Sequence, residues 1–111
     1  MSDTHGWLAT LGDFEAGLAT SDKPFFTGLA HGSMTVELYR PVGEDLQTPH
    51  SRDEIYIIRR GTADFLRDGE RVSVAEGDAL FVPARMEHRF VEFSEGFDTW
   101  VLFWGPEGGE D

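Results

Sequence analysis

The sequence predicts an all-β fold of about eight short strands, wound into a sandwich or closed barrel behind a short N-terminal segment. Three observations lead there. From Pro24 onward, apolar runs of strand length alternate with Gly, Asp and Pro turn signals every eight to twelve residues. The pair Asp68-Gly69 stands between two such runs and is the strongest short hairpin signal in the chain. Nowhere does the three-and-four spacing of a long helix persist.

The elements follow in order. In residues 1–24, Trp7, Leu8, Leu11 and Phe14 recur at spacings that suit one short amphipathic turn or helix, which Gly6, Gly12 and Gly17 keep short. Those apolar side chains are expected to pack on the rest of the domain or on a second subunit. PFFTGLA and SMTVELYR read as strands separated by His31-Gly32, and PVGED reads as a loop. EIYIIRR ends at Gly61, and TADFLR and ERVSVA flank the Asp68-Gly69 turn. A turn at Glu76-Gly77-Asp78, with Gly supplying a positive φ, leads to ALFVP and HRFVEF. Ser94-Glu95-Gly96 then introduces FDTWVLFW.

Ile55 and Ile57 share one parity and Tyr56 and Ile58 the other, so this strand is apolar on both faces. Strands covered on both sides suit a jelly roll whose outer face also packs, and a homodimer is expected. The closing GPEGGED is expected to be a solvated tail. The division is therefore an N-terminal segment (1–24), one barrel (25–105) and an acidic tail (106–111).

Composition narrows the function. The 111 residues carry 9 Lys and Arg against 21 Asp and Glu, a formal charge of −12. That field repels polyanions, so neither nucleic acid nor an anionic membrane surface is an expected partner. The absence of cysteine excludes disulfides, thiolate nucleophiles and zinc–thiolate sites, and fits a reducing compartment. No signal peptide pattern and no long apolar run are present, so a cytoplasmic location is expected.

The stretch QTPHSRDEIYIIRRG places His50 and Glu54 four residues apart, and VPARMEHRF supplies His88. Two imidazoles and one carboxylate form a facial set that holds iron(II), and manganese, nickel, cobalt or zinc accept similar ligands. On a fully extended strand His50 and Glu54 would stand roughly 13 Å apart. One ion therefore needs a bend around Ser51-Arg52-Asp53. Read from spacing alone, a set of unrelated polar side chains is the stronger reading.

The region from about residue 33 to 105 resembles the cupin family of small β-barrels. The first cupin motif reads Gly, five residues, His-x-His, three or four residues, Glu, six residues, Gly. Glu54 and Gly61 match it, and His50 takes the place of its second histidine. Thr48 stands where the first histidine belongs, and Gly43 is one residue too close. The second motif reads Gly, five residues, Pro-x-Gly, two residues, His, three residues, Asn. Gly77, Pro83 and His88 match, while Arg85 replaces the Gly and Glu92 the Asn. The resemblance implies a jelly-roll barrel, usually dimeric, with metal ligands at its mouth and with the bend that His50 and Glu54 need. It implies a set of three His and one Glu, of which this chain keeps His50, Glu54 and His88. Gln47 or Thr48 is then a candidate for an added oxygen ligand.

Around this centre, Tyr56 shares parity with Glu54 and belongs in the interior, as core or as a substrate contact. Arg52 reads as a carboxylate-binding group at the mouth or as a surface residue. Phe90 and Trp100 read as pocket wall or as barrel core. Arg85 precedes His88 in a loop, and His31 and His5 read as exposed turn and terminal residues. Three functions compete. One is a metal-dependent enzyme of dioxygenase, isomerase or lyase type acting on a small polar organic molecule. The second is a non-catalytic module for a small molecule or metal, and the third a scaffold in which the three residues form a hydrogen-bonded cluster.

Overall fold

The computed structural model describes residues 6–45 and 47–111, so His5 lies outside the described residues. A helix, α1 (Leu11–Thr20), precedes eight strands: β1 (Phe25–His31), β2 (Met34–Tyr39), β3 (Asp53–Arg60), β4 (Thr62–Arg67), β5 (Glu70–Ala75), β6 (Ala79–Val82), β7 (His88–Val91) and β8 (Asp98–Trp104). One sheet runs β1-β2-β8-β3-β6 and the other β5-β4-β7. All pairings are antiparallel. The two sheets enclose a core that includes Tyr39, Tyr56, Ile58, Phe65, Val82, Phe90, Phe97 and Val101, which is the expected jelly roll. The β4–β5 hairpin turns where the sequence predicts, with Asp68 and Gly69 at φ 50° and 85°. That double left-handed geometry is the one that matches strand twist.

Apolar residues on both faces of the larger sheet have two fates. The inner set fills the core. On the outer face, α1 covers β1, β2 and β8: Phe14 stacks edge-on against Trp100 at 4.9 Å between ring centres and against Phe26 at 6.3 Å. The helix gets this close because a Cβ at Gly28 would run into the Phe14 ring, and one at Gly17 into the Phe26 ring. Gly17 is thus tolerated mid-helix for packing. Thr10 and Asp13 cap the helix reciprocally, each side chain accepting from the other's backbone N–H at 3.1 and 3.0 Å. Phe14 is buried as expected, but Trp7, Leu8 and Leu11 are exposed in the single chain. So are Ile57 and Phe81, on the part of the outer face that α1 does not reach.

The final residues are mostly exposed, and two backbone N–H groups tie them to the start of β3 and the loop before it. Gly108 N–H donates to the Ser51 carbonyl at 2.6 Å, and Glu110 N–H to the Asp53 carboxylate at 2.9 Å. Asp53 is buried at the start of β3 and draws in backbone N–H groups that composition marked as solvated. No helix among the described residues is long and apolar enough to cross a membrane.

Candidate metal centre

Glu54 is the second residue of β3, so its side chain points into the barrel. His88 opens β7 in the facing sheet. His50 lies in the loop before β3, and a bend at Ser51-Arg52 turns it back over Glu54. Hydrogen bonds tie the loop before His88 to the His50 segment: Arg85 N–H donates to the His50 carbonyl at 2.6 Å, and Ala84 N–H to the Asp53 side chain, at the start of β3, at 2.9 Å. The bend that the spacing required is therefore present and tied down.

The three side chains converge. His88 Nε2 lies 3.1 Å and His50 Nε2 3.9 Å from Glu54 Oε1. Among the described residues, one group of His, Asp and Glu offers ligand atoms all within 4.8 Å of one another, and it is His50, Glu54 and His88. Tyr56, fully buried beneath them, has its hydroxyl 3.0 Å from both Gln47 Oε1 and His88 Nε2.

The electrostatics bear on what fits there. Glu54 is 1% exposed, and neither carboxylate oxygen accepts a hydrogen bond, the close His88 contact being poorly aligned for one. A buried carboxylate without donors is costly unless a cation offsets it. His88 Nδ1 donates to the Met86 carbonyl at 2.9 Å, which leaves Nε2 of the neutral ring with its lone pair toward Glu54. Burial works to lower the His88 pKa, but the Glu54 carboxylate and the Met86 carbonyl outweigh it and hold it above the usual histidine value. Burial, with some help from His88, holds His50 below that value despite Glu54. Burial, then the nearby Glu54 charge, keeps the Tyr56 hydroxyl protonated far above its ordinary range. Two imidazole nitrogens and a buried carboxylate gathered at one point are a donor set that fits a divalent transition ion.

A cavity of about 890 Å³ adjoins the cluster, lined among others by His50, Gln47, Arg52, Glu37, Tyr39 and Phe103. Arg52 lines this cavity: its guanidinium donates to the Ser33 carbonyl and lies 5.6 Å from the centre of the Phe103 ring. Thr48 lies at the rim, exposed. Phe90 and Trp100 are placed elsewhere. Phe90 is core, in ring contact with Phe65 and Tyr56, and Trp100 lies on the outer face under Phe14. Parity assigned each a face but not what covers that face. Arg85 is exposed, as is His31.

Two contributors were not legible in the sequence. Glu37, inward on β2, faces the cavity; burial raises its pKa, and Thr27 Oγ1 donates to it at 3.3 Å. Asp45, 2% exposed, accepts from Tyr39 Oη at 2.5 Å, Gln47 Nε2 at 3.0 Å and Phe90 N–H at 2.8 Å. Each is one acid among many in the sequence; only the Gly-Glu spacing of the first motif singles out Glu54.

A small antiparallel jelly roll with histidines and a glutamate at its mouth defines a class of metal-binding or small-molecule-binding barrels. The cupin domain family matches residues 35–103, and the chain belongs to that family. It is 35% identical over 99 residues to an uncharacterized protein of Streptomyces coelicolor, covering 87% of this chain and 94% of that one. A cupin-2 domain containing protein from Shewanella frigidimarina superposes with a TM-score of 0.66 at 16% identity, over 86% of this chain and 92% of that one. A Rhizobium leguminosarum protein of unknown function does so at 0.65 and 20% identity, over 94% and 98%. These two likenesses speak to the fold.

Proposed function

We propose that this protein is a metal-binding cupin that holds a divalent transition ion (Fe, Mn, Ni, Co or Zn) on His50, Glu54 and His88 and acts on a small polar organic molecule in the adjoining cavity. The observation that carries this reading is Glu54, a buried carboxylate with no hydrogen-bond donor, facing two imidazole nitrogens. An ion bound there supplies polarisation of a ligand oxygen or activation of bound water or dioxygen. The chain's own groups bind and orient the molecule. Arg52, over the Phe103 ring, suits a carboxylate at the mouth, and Glu37, which also lines the cavity, suits a hydroxyl. Phe25, Val101 and Phe103 give the cavity an apolar side. The reaction class is a dioxygenation, isomerisation or elimination, among which the fold does not choose.

A non-catalytic binding module is the second reading. It is favoured by Thr48, which is exposed where the cupin motif has its first histidine. In either case we propose a homodimer that covers Ile57 and Phe81 on the bare outer face, which size-exclusion chromatography with light scattering tests directly.

Metal content decides the first point. Untagged protein purified without chelator is expected to carry near-stoichiometric metal by mass spectrometry, and His88→Ala to lose it. Wild-type protein that stays empty after incubation with iron(II), manganese, nickel and zinc overturns the metal reading. Oxygen uptake or turnover of small acids by loaded protein then separates enzyme from binding module.

A further inference from the structure

We propose that Gln47 is a fourth donor of the metal centre, its side-chain oxygen doing the work of the histidine that Thr48 replaces, and that Asp45 is the positioning residue that aims it. This rests on the metal reading above.

The polarity of the Gln47 amide is fixed by its surroundings. Asp45 Oδ2, which already accepts from the Phe90 N–H, lies 3.0 Å from one end of it, so that end is assigned as the nitrogen. Asp45 is itself immobilised, because the Phe90 N–H, the Tyr39 hydroxyl and the Gln47 N–H all donate to it. The amide oxygen must then face the other way. There it meets His50 Nε2 at 3.1 Å and the Tyr56 hydroxyl at 3.0 Å. A carbonyl oxygen is thus held against the cluster by a buried carboxylate placed behind it. Thr48, the sequence equivalent of the missing ligand, is exposed.

The spacing fits shared coordination. Donors bound about 2.1 Å from one six-coordinate ion and at right angles to each other stand roughly 3.0 Å apart. Gln47 Oε1 to His50 Nε2 is 3.1 Å, Glu54 Oε1 to His88 Nε2 is 3.1 Å, and Glu54 Oε1 to His50 Nε2 is 3.9 Å. The first pair is already at the separation that neighbouring ligands adopt. Two imidazole nitrogens with two oxygens, one of them uncharged, form a harder set than three imidazoles and a carboxylate. Carboxylate and carbonyl oxygens suit manganese(II), and imidazoles suit iron(II). The ion implied is of that class.

The test compares the full-length wild type with Gln47→Leu, which keeps the bulk and removes the oxygen, and with Gln47→Ala and Thr48→Ala. Manganese(II) affinity is measured by competition titration, coordination by the visible spectrum of cobalt(II)-loaded protein, and fold by melting of the metal-free form. Both Gln47 variants are expected to bind manganese(II) more weakly, by about 10- to 100-fold or more, and to show an altered cobalt(II) spectrum. Thr48→Ala is expected to match wild type in both. If Gln47 only braces the loop, melting falls while affinity and spectrum stay unchanged, and the proposal is overturned. Wild type that binds no metal removes this proposal together with the reading it rests on. Wild type that binds normally beside indistinguishable Gln47 variants removes this proposal alone.

Discussion

Two carboxylates are buried to the same degree in this barrel and are treated in opposite ways. Asp98, at the start of β8, is 0% exposed, and Glu54, near the start of β3, is 1% exposed. Asp98 is saturated. Arg59 reaches it through Nε at 2.9 Å and Nη2 at 2.6 Å, and Arg40 through Nε at 3.1 Å and Nη2 at 2.7 Å. Glu15 on α1 bridges the same two arginines at 2.9 and 3.1 Å. Asp45 and Asp53 are likewise supplied with donors. Glu54 accepts no well-formed hydrogen bond, its close contact being His88 Nε2 at 3.1 Å. Three buried aspartates satisfied beside one glutamate without well-formed hydrogen bonds is the contrast that the proposed metal reading rests on, a pattern that functional sites commonly carry at a cost in stability.

The sharpest way to break this contrast is to neutralise each carboxylate in metal-free protein. Asp98→Asn abandons Arg40 and Arg59 beneath α1, and is expected to lower the unfolding free energy by about 3–5 kcal/mol. Glu54→Gln replaces a buried acid that accepts no well-formed hydrogen bond. It is expected to leave the stability of chelator-treated protein unchanged or raised by about 1–4 kcal/mol, while abolishing metal binding. Urea unfolding of both variants with chelator, beside metal analysis without it, reads the two effects separately. Equal destabilisation by the two substitutions would mean that Glu54 is as structural as Asp98, and the scaffold reading would gain.

The sequence announced much of this. Strands β4 and β5 have the bounds that TADFLR and ERVSVA mark, because tight turns and alternation are local signals. The clustering of His50, Glu54 and His88 was legible from motif spacing, and so was the need for a bend. What escaped depends on tertiary neighbours. Asp45 and Asp53 look like surface acids until backbone N–H groups from distant loops close on them. Trp100 looks like pocket until Phe14 is seen above it. The departures from the second cupin motif were visible but not interpretable. The structure explains them: Arg85, in the Gly position, has φ 68°, and Glu92, in the Asn position, has φ 49°. Both occupy the left-handed region, where Gly and Asn are at ease and long side chains are not.

That gives a smaller test at the loop that presents His88. Arg85→Gly and Glu92→Asn are each expected to stabilise the metal-free protein by about 1 kcal/mol, less whatever glycine's added freedom in the unfolded chain returns. Neither changes a ligand, so metal stoichiometry should hold. A gain in melting temperature with unchanged metal content would show that the strain serves no role at the centre. A gain accompanied by metal loss would instead tie the strained loop to His88, and set it beside Glu54 as stability given up for the site.

The smallest expected effect lies at the rim of the saturated cluster. Glu15 is more than a third exposed, and its hydrogen bond from Arg40 holds its pKa below the ordinary glutamate value. A lowered folded-state pKa means that the contribution is complete above the unfolded value, about 4.3, and is lost as pH falls through the folded value. Solvent screening limits that contribution to below about 1 kcal/mol. Glu15→Gln should therefore cost little at pH 7, and the difference from wild type should vanish on acidification through and below pH 4. Raising salt to about 1 M, where charges are screened within roughly 3 Å, should also shrink it. A difference that persists at low pH would assign the loss to packing of α1 and not to charge. The outer cluster would then owe its strength to Asp98 and the two arginines alone.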